Sequence, residues 1–188
     1  MRMHKMLLLS GLCTLAIGIG VAFGEGRNLG RPIVPADMAP WDIDIEPSGA
    51  GLPGGSGTSE QGAPIFADNC AACHGDGGRG ATTTTSGAPA APPVVSDVKR
   101  SGIDDTTLTI ANYWPYAPPL FDYIRRAMPW TSPRSLTDDQ VYALTAYILA
   151  ENKLIDPKQV INAQTLPKVQ MPNRNGFIIR FPDSTPHD

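Results

Sequence analysis

Cys70, Cys73 and His74 stand together in DNCAACHGDGG (68–78), and they are the residues of this chain best suited to chemistry. Two cysteines separated by two residues can form a redox dithiol, half of a zinc site, a small disulfide or the thioether anchors of a porphyrin. A thioredoxin-like dithiol needs a βαβ setting, which the flanking sequence lacks. Structural zinc needs four ligands, and beyond residue 24 the chain offers only Cys70, Cys73, His74 and the near-terminal His187. A disulfide here would close a loop too small to add much stability. C-x-x-C-H followed by Gly matches one covalent haem c: two thioethers at the porphyrin edge, with the adjacent histidine as proximal iron ligand.

A six-coordinate iron needs a second axial ligand. Met128 is the preferred candidate, 54 residues after His74 and constrained by Pro129; Met171, also followed by proline, is the second choice, and Met38 and His187 are the remaining options. Histidine–methionine ligation raises the reduction potential and leaves no open coordination position, so the expected role is one-electron transfer and not catalysis. Around the haem, Pro92 or Pro93 can present a carbonyl to the second ring nitrogen of His74. Tyr113, Trp114, Tyr116, Arg125 and Arg126 are candidate partners of its propionates.

The elements that must position these residues are few. Residues 59–73 read as a short helix capped by Ser59 and running into the cysteines. Leu120, Phe121, Ile124 and Ala127 form one face of a helix that Pro129 stops, displacing Met128 from helical geometry. The clearest helix starts at Thr137, which forms a capping box with Gln140; its buried face is Val141, Leu144, Tyr147, Ile148 and Leu149, up to about Glu151. Strand signals are scarce. The expected fold is mainly α, a few short helices whose small core is completed by one haem.

Either side of that domain (59–152) the chain is irregular. Residues 1–24 read as an export signal: a basic start, an apolar run over 6–23 and a small-residue exit at Ala22 and Gly24. An uncleaved membrane anchor is the alternative for that run. Residues 25–58 form a Pro/Gly-rich extended arm, in which Trp41, Ile43 and Ile45 alternate so as to dock on one surface while Asp42 and Asp44 face water. Residues 75–93 are a Gly-, Thr- and Ala-rich loop, and 153–188 an extended tail that either wraps the domain or meets a partner.

The 188 residues carry 15 basic and 18 acidic side chains. Loss of Arg2 and Lys5 with the signal leaves 13 basic residues and a net charge of −5. With no basic stripe, nucleic acid is excluded as a partner class. After cleavage no membrane segment remains, and the chain is expected to be periplasmic, an oxidising setting in which paired cysteines need a use.

CxxCH, a proline-containing loop, Met-Pro and a terminal amphipathic helix together resemble a class I cytochrome c over residues 59–151. The segments LGRPIVPADMAPWDIDIEPSGAGLPGGSGT (29–58), NYWPYAPPLFDYIRRAMPW (112–130), SLTDDQVYALTAYILAENKLI (135–155) and LPKVQMPNRNGF (166–177) further resemble the cytochrome subunit of Sox-type sulfur or sulfite dehydrogenases. In that family a molybdenum-cofactor subunit oxidises the sulfur compound and the cytochrome takes the electrons. The resemblance implies haem attachment at Cys70 and Cys73 and axial ligation by His74 and Met128. It also implies a molybdenum-cofactor dehydrogenase subunit as electron donor, a downstream cytochrome or oxidase as acceptor, and an arm and tail that embrace the haem domain or the partner. Some members carry two haems, whereas this chain has one CxxCH, and its 81–91 loop is a local variation. Two other readings stand beside this one: a general electron shuttle for another periplasmic dehydrogenase, and a haem enzyme or sensor with an open coordination site.

Overall fold

The computed structural model describes residues 30–81, 89–100, 102 and 104–178. The expected export signal, Cys13, most of the 81–91 loop and the end of the tail with His187 lie outside the described residues. The chain divides into two compact units between Asp42 and Ile43.

In the first unit, α1 is one helical turn, Pro35–Met38. Pro35 supplies the φ that a first helical residue needs. The Arg31 guanidinium makes two bonds to Asp37, at 2.5 and 2.7 Å, and holds that carboxyl below the usual range. Trp41 is 84% exposed, while Ile45, in the other unit, is 6% exposed and Ile43 half-buried. The division thus separates Trp41 from the two isoleucines, of which Ile45 lies in the core of the second unit. Residues 43–58 belong with the haem-type domain, whereas the sequence places the boundary after 58.

The second unit is built on three helices: α2 (Ser59–Asn69), α4 (Pro118–Ala127) and α5 (Asp138–Glu151), with a single turn, α3 (Ala71–His74), following α2. Thr58, not Ser59, caps α2. Its Oγ accepts from the Gln61 N–H at 3.3 Å, and Gln61 Oε1 accepts from the Thr58 N–H at 2.9 Å. Ser59 is the first helical residue and is buried. Thr137 and Gln140 form the expected box on α5 with the same distances, 3.3 and 2.9 Å. The single expected helix over 59–73 breaks at Cys70, whose ψ of −36° comes with φ of −124°.

α5 departs most from expectation. Its apolar stripe is present, but Tyr142, Ala143, Thr145 and Ala146 are also at or below 2% exposure, so the helix is buried nearly all round. α2 packs most extensively on it, with the Phe66 and Tyr147 rings 5.0 Å apart. On α4, Phe121 meets Tyr142 at 4.3 Å. The remaining faces are covered by chain that reads as irregular. Strand β1 (Ser56–Gly57) pairs antiparallel with β2 (Ile161–Asn162), and Tyr142 donates to the Pro53 carbonyl at 2.8 Å. Ile161, Leu166, Val169 and Met171 of the tail are all within the core. Up to Met171 the tail wraps its own domain.

The α2–α5 crossing requires glycine. A Cβ at Gly62 would lie 2.0 Å from the Ala143 carbonyl oxygen, and one at Gly57 would lie 2.2 Å from the Ala143 nitrogen. Both neighbours are backbone and cannot swing aside. Gly62→Ala is expected to lower the unfolding free energy of the haem-loaded chain by about 1–3 kcal/mol in a denaturant titration. Gly54→Ala, where nothing lies within 4 Å, is expected to leave it nearly unchanged.

Candidate functional site

Cys70, Cys73 and His74 open onto an apolar crevice of about 590 Å³, a volume within the range of cofactor cavities. α2 gives Phe66 to its wall, α4 gives Leu120 and Ile124, and α5 gives Leu144 and Ile148; Ile110 and Trp114 come from the loop before α4. Met128 stands in the same lining, because α4 ends at Ala127 and Met128 takes an extended conformation, φ −116° and ψ 148°, before Pro129. Met171, the second-choice ligand, is 3% exposed in the core and is absent from the lining.

Cys70 is the N-cap of α3, and Cys73 and His74 are its last two residues. The His74 N–H bonds back to the Cys70 carbonyl at 2.9 Å, and Gly75 follows with φ +73°. Against this turn the proline loop is pinned: the Ala91 N–H donates to the Cys73 carbonyl at 2.9 Å, and the Val94 and Val95 N–H groups to the Gly78 carbonyl at 2.8 and 2.9 Å. Gly78, at φ +74°, has no room for a side chain, since a Cβ there would meet Val94 at 2.8 Å. So placed, the Pro92 carbonyl accepts from His74 Nδ1 at 3.0 Å, which leaves Nε2 as the free ring nitrogen. Pro93 lines the crevice without making that bond.

These features fit haem c. Neither Cys70 nor Cys73 is in a disulfide. Burial, with a smaller contribution from Cys73, pushes the Cys70 thiol up to about 11, opposite to the lowered thiol of a redox dithiol. No group of three or more His, Cys, Asp or Glu able to hold a metal ion occurs among the described residues, so zinc finds no ligand set there.

Of the other candidates, Trp114 lies in the lining, while Tyr113, Tyr116, Arg125 and Arg126 lie off it. Arg125 is bonded to Asp138 at 2.9 Å. Arg126 bonds Asp122, which is buried, and reaches Asp44 at 3.2 Å. Tyr113 instead meets Arg100 and, from the tail, Phe177, and Tyr116 meets Arg174 of the tail.

Two asparagines that sequence reasoning passes over frame the site. Asn152 donates to the Val94 carbonyl at 2.9 Å and accepts from the Ser96 N–H at 3.1 Å, holding the end of the proline loop. Asn112 bonds Val98 and Thr107 carbonyls and the Thr109 N–H, and so shapes the loop that delivers Ile110 and Trp114. An asparagine just past a capped helix was a readable signal for the first; nothing local marks the second. Tyr123 and Trp130, also in the lining, remain exposed at the mouth.

Among the described residues no helix is long and apolar enough to cross a membrane. No curated protein matches the chain. The cytochrome c family model matches residues 59–151. Among solved structures, the chain is similar to one in the crystal structure of the sulfane dehydrogenase SoxCD from Paracoccus pantotrophus, with 34% identity over 86% of this chain and 76% of that one and a TM-score of 0.69. With a CxxCH turn on an apolar crevice, a matching family model and a solved relative of this identity, the chain belongs to the cytochrome c family: it binds haem c covalently and transfers electrons.

Proposed function

We propose that this chain is the monohaem electron-accepting subunit of a periplasmic molybdenum dehydrogenase of sulfite or sulfur oxidation, and that it passes electrons to a further cytochrome or an oxidase. The observation carrying this reading is the reach of the SoxCD likeness. It covers 86% of the chain, well beyond the 59–151 domain that haem binding requires. Similarity maintained in segments that need not touch haem points to a common partner.

The chemistry rests on few residues. Cys70 and Cys73 supply thioether bonds, and His74 and Met128 the axial positions. Haem c supplies a reversible one-electron couple. The Pro92 carbonyl fixes the ring orientation and tautomer of His74 and raises its basicity as a ligand. The apolar wall of Phe66, Leu120, Leu144 and Ile148 excludes water and so disfavours the more highly charged oxidised form. The export signal at 1–24 gives the periplasmic location.

Met128→Ala is expected to abolish the methionine-to-iron charge-transfer band of the oxidised protein at the red end of the spectrum. Met171→Ala should keep the band and lose about 2–5 kcal/mol of stability, as truncation of a buried methionine does. The reverse pattern overturns the ligand assignment. For the partner, affinity purification of the chain from periplasm is expected to bring down a molybdenum-containing subunit in near-equal amount. Sulfite or thiosulfate should then reduce the haem of the pair but not of the cytochrome alone. A cytochrome that purifies alone and is reduced by an unrelated dehydrogenase refutes the assignment and establishes a general shuttle.

A further inference from the structure

Trp114 is the only aromatic residue of the YWPY stretch (113–116) in the crevice lining, and the tyrosines beside it are held by the tail as well as, for Tyr113, by Arg100 and the Thr109 carbonyl within the domain. Asn173 donates its side-chain N–H to the Tyr113 carbonyl at 2.6 Å. The Phe177 ring meets the Tyr113 ring edge-on at 5.5 Å, and the Arg174 guanidinium lies 4.9 Å from the centre of the Tyr116 ring. Tyr113 is thus bound through both backbone and ring, and Tyr116 through its face, each by a residue of the tail segment 171–177.

That segment is itself anchored. Met171 is buried at its start, the Arg174 N–H bonds the Met171 carbonyl at 3.1 Å, and the Gly176 N–H bonds the Asn173 carbonyl at 3.0 Å. A Cβ at Gly176 would lie 1.8 Å from Asn173 Oδ1, so a side chain there would have to push aside the Asn173 amide that bonds Tyr113. On its other side Trp114 meets Tyr123 edge-on at 6.3 Å, and Tyr123 is half-exposed at the crevice mouth. The indole is fixed by its neighbours in the chain and by one ring contact at the mouth.

We propose that the tail segment 171–177 is a positioning strap: through Asn173, Arg174 and Phe177 it fixes Tyr113 and Tyr116 and thereby keeps Trp114 sealed against the haem. The strap sets how much water reaches the haem, and with it the reduction potential. Water stabilises the oxidised iron preferentially, so a loosened strap lowers the potential. The inference rests on the crevice being the haem site and is independent of which dehydrogenase supplies the electrons.

The test uses the full-length, haem-loaded chain, with haem content measured first so that a failure of attachment is seen separately. Asn173→Ala/Phe177→Ala is expected to show a lower reduction potential and several-fold faster carbon monoxide binding to the reduced protein. Arg174→Ala, truncating an exposed side chain, should shift both readouts in the same direction by less, and Arg174→Lys, which keeps a cation over Tyr116, should restore most of the shift. Asn175→Ala, exposed in the same segment, is expected to match wild type. If the double variant does not fold, Arg174→Ala and its lysine rescue decide. Potential and carbon monoxide kinetics equal to wild type in the strap variants overturn the proposal, as does a shift that accompanies global destabilisation and is not rescued by lysine.

Discussion

Everything in the haem-type domain is hung on one backbone contact, the approach of Gly57 and Gly62 to Ala143. Two segments separated by more than 80 residues from α5 meet it there with no side chain between, so α2 lies close enough for Phe66 and Tyr147 to stack. The crossing fixes where α2 ends, and α2 ends at Cys70. The position of the haem-attachment turn is thus a consequence of how closely two helices pack about two turns away. Close packing of this kind is unforgiving, because the atoms that a larger residue would strike belong to the main chain.

The crevice follows from that frame. α3 offers carbonyls and N–H groups in a compact turn, and the proline loop uses them to dock, which places Pro92 beside His74. Asn152, at the end of α5, then ties the far end of the same loop to the helix that carries Leu144 and Ile148. Both sides of the crevice are therefore referenced to α5. A redox centre benefits from such rigidity, since little rearrangement accompanies a change in charge.

How much of this was legible depended on how local the cause was. CxxCH, the Thr137–Gln140 box and the Met128–Pro129 stop are local features, and the structure has each where its residues stand. The capping residue of α2 was misread by one position: Thr58 has Gln61 three residues on to complete a capping box, whereas Ser59 would have Gly62. The all-round burial of α5 was not legible, because Tyr142 and Thr145 look like an outer face until strand β1 and the tail cover them; Thr145 satisfies its hydroxyl internally on the Val141 carbonyl at 2.7 Å. The carboxylate partners of the two arginines, Asp138 and Asp122, likewise become apparent only when the helices are placed.

The ion pairs of the arginines bear on electron transfer itself. With Arg125 committed to Asp138, and Arg126 to Asp122 and Asp44, neither guanidinium stands in the crevice lining. Among the described residues no Lys, Arg, Asp or Glu lines the crevice; its polar side chains are Asn69, the two thiols, His74, Tyr123 and the tryptophans. A haem in such a wall has its charge balanced by few fixed protein charges, so solvent access becomes the main lever on its potential. Tyr123 and Trp130, both in the lining, are exposed, so the crevice opens to solvent beside them. A neutral, apolar wall thus leaves the water admitted at this opening a direct influence over the driving force for the electron.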